Sequence, residues 1–113
     1  MNSTAPFSAA LAIDPAAEAE RIVAALREQL RSLRKRGLVL GVSGGIDSSV
    51  STALAVRAVG AKNVCCLFMP ENDSDPESLE LGRLLTNTFG IEGIVEDIGP
   101  ALKAIGCYER RDG

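Results

Sequence analysis

The sequence predicts an α/β protein with a parallel sheet and helices on both faces, and three observations carry that reading. Two short, uninterrupted apolar runs, 38–42 and 64–69, have the composition of strands buried on both sides. Each is followed by a segment with helical spacing, which gives a β-α-β-α-β order behind one leading helix. The boundaries are punctuated: Asp-Pro opens two of the helices, and glycine follows the last periodic residue of each. A helix between consecutive strands returns the chain to the same end of the sheet, so the strands run parallel.

The elements follow in order. Residues 1–13 lack helical or strand periodicity and read as a flexible N-terminal arm; residues 14–113 form the domain. Asp14 caps the first helix and Pro15 occupies its first turn. Ile22, Val23, Leu26, Leu30 and Leu33 form its apolar stripe. Glu18 and Glu20 lie early and Arg31, Arg34, Lys35 and Arg36 late, each matched to the helix dipole, and Gly37 supplies the stop. A second helix spans 46–59, with Val50, Leu54, Ala55 and Ala58 facing the sheet and Gly60 at its end. Pro70 closes the second strand, and Asp75-Pro76 opens a third helix with Leu81, Leu84, Leu85 and Phe89 as its apolar side and Gly90 at the exit. Residues 92–98 form a third, more amphipathic strand, Gly99-Pro100 opens a short helix, and 106–113 read as a loose polar end.

Composition narrows the chemistry. A net charge of −3 over 113 residues argues against a nucleic-acid surface, which needs clustered positive charge. No run reaches the roughly 18 apolar residues that cross a bilayer, and no basic start precedes an apolar block as in a secretory signal. Three cysteines, two of them adjacent, do not make a disulfide framework, which fits a reducing cytoplasm. With no histidine, neither Ser-His-Asp nor Cys-His catalysis is available within these residues. No residue is assigned a catalytic role.

The most informative stretch is Gly41-Val42-Ser43-Gly44-Gly45-Ile46-Asp47-Ser48-Ser49, where the first strand turns into a helix. Glycines 44 and 45 allow positive φ and close backbone approach to a ligand. The new helix offers unpaired N–H groups and the positive end of its dipole, which favour phosphate. Ser43, Ser48 and Ser49 add hydroxyls, and Asp47 is suited to hold Mg2+ against the phosphates. The turn lacks the lysine of the common nucleotide loop and the Gly-x-Gly-x-x-Gly of dinucleotide folds. Open parallel sheets bind ligands beyond the carboxyl ends of their strands, so Met69-Pro70-Glu71-Asn72 should border the same crevice.

Ser43-Gly44-Gly45-Ile46-Asp47-Ser48-Ser49 resembles the signature of the ATP pyrophosphatase (PP-loop) superfamily, whose members split ATP between the α- and β-phosphates. Within it, Leu67-Phe68-Met69-Pro70, Ser74, Ser78-Leu79, Gly82, Leu84-Leu85, Phe89-Gly90-Ile91 and Asp97-Ile98 are similar to NAD synthetases. GMP synthetases share the loop, but the segment expected after their second strand is missing. The resemblance implies an adenine nucleotide alpha hydrolase-like, Rossmann-like fold. It also implies a reaction: the carboxylate of deamido-NAD is adenylated by ATP, pyrophosphate leaves, and ammonia displaces AMP. Carried over by position, residues 41–49 match the ATP and pyrophosphate segment, Asp47 the Mg2+ ligand, and Phe68 and Met69 the strand end bordering adenine. Phe68 and Met69 are equally accounted for as core.

The resemblance covers only the front of such an enzyme, so an incomplete domain of three strands is expected, with the 38–42 strand left bare on one edge. The family places most of its deamido-NAD site, an additional metal-binding acid and much of its dimer interface in the later half, and no residue here matches those parts, although the resemblance implies a homodimer for the full-length enzyme. About 40 residues precede the loop, too few for a nitrilase-like glutaminase domain, and Asn2 rather than cysteine follows Met1. An ammonia-dependent form is therefore expected, unless a separate subunit delivers ammonia. Two other readings stay open: a PP-loop ligase or amidotransferase with a different acceptor, and a non-catalytic, truncated ATP-binding module.

Overall fold

The computed structural model describes residues 12–112. All but the last two residues of the expected N-terminal arm therefore lie outside the described residues. Helix α1 (Pro15–Leu33) leads into strand β1 (Leu38–Gly41), helix α2 (Ile46–Val59), a short 3-10 turn (Ala61–Asn63) and strand β2 (Val64–Phe68). Helix α3 (Pro76–Phe89), strand β3 (Glu92–Val95) and two short helices, α4 (Gly99–Ala104) and α5 (Cys107–Asp112), complete the order. The three strands form one parallel sheet in the order β1-β2-β3. Leu40 stands opposite Cys66, and Cys66 opposite Gly93.

The sheet order places the helices. Each crossover steps one strand in the same direction, and right-handed crossovers of that kind put consecutive helices on one face. Helices α2 and α3 accordingly share a core with Val64, Cys66 and Phe68 of β2, joined by Ala55, Leu79, Leu85 and Phe89. Full burial of a valine or phenylalanine contributes about 1.5–3 kcal/mol each, and Val64 and Phe68 are both buried. Strand β2 is thus the strand around which the domain closes. The phenylalanine ring fits only because Gly82 of α3 and Gly93 of β3 lack side chains: a Cβ at either position would lie 2.6 Å from it.

The parallel, Rossmann-like class is as expected, but the helices of the β-α-β-α-β unit lie on one face. On the other, Val39 of β1 and Ile94 of β3 are exposed while Cys65 and Leu67 are half-buried. Placing helices there requires a reversal of strand order, which does not occur among the described residues. Strand β1 stands at an edge, as the incomplete domain predicts.

Several local expectations change. Helix α1 ends at Arg34, in the left-handed conformation with φ 55°, and not at Gly37. Glycine 37 is needed for a different reason, since a Cβ there would sit 2.8 Å from the Asn63 carbonyl oxygen. Helix α1 packs on α2 rather than on the sheet, so only Val23 and Leu30 of its stripe are buried, while Ile22 and Leu33 are exposed. Its Arg27 donates to the Arg57 and Ala58 carbonyls, both at 2.9 Å, and so caps the carboxyl end of α2. Val50 is exposed and Thr52 takes the buried position. In α3 the inward line runs through Leu79, Gly82, Leu85 and Thr86, leaving Leu81 and Leu84 exposed. Of the residues expected to form a loose end, 107–112 fold into α5, and residue 113 lies outside the described residues.

Candidate functional site

The turn between β1 and α2 stands at the carboxyl end of the sheet, as the topology requires. The Val42 N–H donates to the Leu67 carbonyl at 2.9 Å and extends the ladder one residue past Gly41. Val42 itself is buried, so it shapes the turn from below. Gly41 lies under the Met69 side chain, whose Cε would be 2.9 Å from an added Cβ. Gly44 has φ 84°, and a Cβ there would meet the Ser78 carbonyl oxygen at 2.6 Å. Both reasons exclude any other residue. Gly45, in contrast, is extended with φ −85° and serves as the N-cap of α2. The positive φ expected of the pair belongs to Gly44 alone.

The serines brace this turn. Ser48 Oγ accepts from the Ser43 N–H and donates to the Gly45 carbonyl, both at 3.2 Å. Ser43 Oγ accepts from the Gly45 N–H at 3.2 Å and lies 3.2 Å from Ser48 Oγ. Ser49 Oγ donates to the Gly45 carbonyl at 2.8 Å, and Thr52 Oγ1 to the Ser48 carbonyl at 2.7 Å. Thr52 is fully buried beside Cys66, so these bonds tie the turn to the core through the first two turns of α2. Among the described residues, the N–H groups of Gly44, Ile46, Asp47 and Ser48 have no hydrogen-bond partner, and they form a ready nest for an anion. The Ile46 side chain is exposed, so its backbone is what the turn uses.

Asp47 stands in the first turn of α2, exposed, with no side-chain partner among the described residues. Those residues contain no cluster of three or more metal-ligating side chains. One carboxylate beside unpaired N–H groups that would hold a phosphate suits Mg2+, which commonly takes one or two protein carboxylates and completes its shell with phosphate oxygens and water.

A cleft of about 270 Å³ opens beside the turn. Val42, Ser43, Phe68 and Met69 line its sheet side. Pro70, Ser74 and Asp75 of the loop after β2, with Ser78 and Leu79 of α3, line the other. Of the segment 69–72 expected to border the crevice, Met69 and Pro70 do so beside Ser43 of the turn, whereas Glu71 and Asn72 do not line it and Ser74 and Asp75 do. The two strand-end residues divide: the Phe68 ring is buried between Gly82 and Gly93, whereas Met69 is 45% exposed at the cleft. Asp75 is a helix cap, accepting from the Glu77 N–H at 3.0 Å. Sequence spacing did not place Ser78 against Gly44, because α3 approaches the turn only through the shared core. The serine itself was visible within the family resemblance.

Fold and turn together define a Rossmann-like α/β domain carrying the ATP pyrophosphatase signature after its first strand. The sequence profile of the NAD synthase family matches residues 18–111, and the chain belongs to that family. The NH(3)-dependent NAD(+) synthetase of Rhizobium meliloti (strain 1021) is 80% identical over 107 residues, covering 94% of this chain and 32% of that protein. The protein of the same name from Methanocaldococcus jannaschii is 40% identical over 87 residues, covering 77% of this chain and 34% of that protein. Among solved structures, an NH3-dependent NAD synthetase from Campylobacter jejuni superposes with a TM-score of 0.77 at 31% identity, covering 86% of this chain and 42% of that one. A glutamine-dependent NAD+ synthetase from Acinetobacter baumannii, solved with ADP, gives 0.73 at 29% identity, covering 77% of this chain and 16% of that one. The chain thus spans about a third of the length of the curated relatives it matches.

Proposed function

We propose that this chain supplies the ATP-binding front of an ammonia-dependent NAD synthetase, which converts deamido-NAD and ammonia to NAD through an adenylated carboxylate. The observation that carries the reading is the braced Ser43–Ser49 turn, whose unpaired N–H groups open beside the cleft at the carboxyl end of β1. The high identity to the Rhizobium meliloti synthetase supports the choice of acceptor, and the ADP held by the Acinetobacter baumannii relative agrees with an adenine nucleotide.

In this reading residues 41–49 hold the polyphosphate. Negative charge develops on the departing pyrophosphate, and N–H groups fixed in advance stabilise it where it appears. Asp47 would hold Mg2+ together with phosphate oxygens, and the metal would supply charge neutralisation. Met69 and the backbone of Phe68 border the adenine, and the loop 70–75 forms the facing wall. Most of the deamido-NAD site and much of the interface of a homodimer belong to parts of the enzyme that match no residue of this chain. The enzyme is proposed to act in the cytoplasm; no helix among the described residues is long and apolar enough to cross a membrane.

Calorimetric titration of the chain with ATP and with pyrophosphate, with and without Mg2+, tests the reading. Binding of both ligands, tighter with Mg2+, is expected, with no AMP released on addition of deamido-NAD and ammonium. Absence of binding would remove the ATP-site assignment. Amide formation by the chain alone would overturn the division of labour between this segment and the rest of the enzyme.

A further inference from the structure

The loop that walls the cleft is held from behind by the last helix of the described chain. Residues 71–74 form a tight turn, with the Ser74 N–H donating to the Glu71 carbonyl at 3.1 Å and the Glu71 N–H to Ser74 Oγ at 2.9 Å. Its front, through Ser74, lines the cleft. Its back carries Glu71, Asn72 and Asp73, and all three are engaged from 97–112. The Tyr108 hydroxyl donates to Glu71 Oε2 at 2.5 Å and accepts from the Asn72 N–H at 3.0 Å. Glu71 Oε1 accepts from the Asp73 N–H at 3.0 Å, and the Asp73 carboxylate pairs with Arg111. The Arg111 guanidinium also lies 5.5 Å from the Tyr108 ring centre. Asn72 is seated on the first residue of α4, where a Cβ on Gly99 would come within 2.7 Å of Asn72 Oδ1.

The geometry points to Tyr108 as a positioning residue for nucleotide binding, one that fixes the 70–75 wall of the cleft through the Glu71 carboxylate and the Asn72 amide. Its hydroxyl uses both its donor and its acceptor on a turn 36 and 37 residues away in sequence. No residue of α5, Tyr108 included, lines the cleft, so a contribution of this helix to binding passes through the turn. The Tyr108 hydroxyl is held protonated above its ordinary range, first by desolvation and then by the Glu71 carboxylate.

This inference rests on the ATP-site reading and assigns the two halves of ATP to different supports. The Ser43–Ser49 turn holds the phosphates without help from α5, whereas the 70–75 wall shapes the nucleoside end. The test measures ATP and pyrophosphate affinity, together with amide hydrogen exchange, in the unsubstituted chain, Tyr108→Phe, Glu71→Ala and the double variant. Tyr108→Phe is expected to speed exchange at Asn72 and Asp73, leave it unchanged at residues 46–48, and weaken ATP about tenfold. Pyrophosphate affinity should stay within twofold. Glu71→Ala should give the same pattern from the loop side, and the double variant should be no worse than the stronger single one, as for two ends of one contact. ATP affinity unchanged in both single variants, or pyrophosphate weakened in parallel with ATP, would overturn the positioning role. Failure of the unsubstituted chain to bind pyrophosphate would instead overturn the ATP-site reading on which it rests.

Discussion

At Gly44 two independent constraints meet. The residue sits in the left-handed region, which costs an L-residue about 1–2 kcal/mol, and the Ser78 backbone leaves no room for a Cβ. Because the obstacle is backbone rather than a flexible side chain, Gly44→Ala is expected to lower stability by about 2–4 kcal/mol and abolish pyrophosphate binding. Urea denaturation and calorimetry would read the two effects. The thiols make a second residue-scale prediction. Cys66 is fully buried, and desolvation raises its pKa, whereas Cys107 is exposed. A thiol reagent should label Cys107 fast and Cys66 only as the chain opens. Because the Cys66 thiol and the Tyr108 hydroxyl are both held protonated in the folded state, the stability each adds is full below its ordinary pKa. It is lost as pH rises through the raised folded value. Denaturation midpoints should therefore fall above about pH 9, where free thiols and then phenols ionise.

At the scale of elements, the punctuation marks were the most legible part of the sequence. Asp14 and Asp75 do cap their helices, Gly60 and Gly90 do end theirs, and each works through contacts within a few residues. Faces were less legible. Spacing made Leu81 and Leu84 part of the inward side of α3, yet the helix turns Gly82 and Thr86 inward to admit the Phe68 ring. A close approach between a helix and a strand selects the smallest residue, and an apolar-pattern reading passes over it. Gly82→Ala is accordingly expected to cost about 1–3 kcal/mol through overpacking, measured as a lowered urea midpoint with an unchanged slope. Arg27 is a similar case, since its role at the end of α2 depends on two helices meeting 30 residues apart.

For the whole molecule, the sheet sets the main consequence. Among the described residues, strand β1 has a free edge and the face carrying Val39 and Ile94 lacks a covering helix. Unpaired edges and contiguous apolar surface favour association. Sedimentation velocity of the chain should show concentration-dependent self-association, reduced by Val39→Lys, whose side chain would project from the exposed face. A monomer at all concentrations would show that the remaining surface charge is enough to keep the edge apart. The sequence by itself determined the order of the three strands and of helices α1 to α4, the parallel class, the caps at Asp14 and Asp75, and the strand-to-helix turn at Ser43–Ser49. Each of these is fixed by local spacing or by residues adjacent in the chain. Only the tertiary structure decided which helix faces turn inward, that both crossover helices share one face, and that Ser78 closes over Gly44. It alone brought Tyr108 and Arg111 to the wall of the cleft, because those contacts join residues more than 30 positions apart and leave no periodic trace in the sequence.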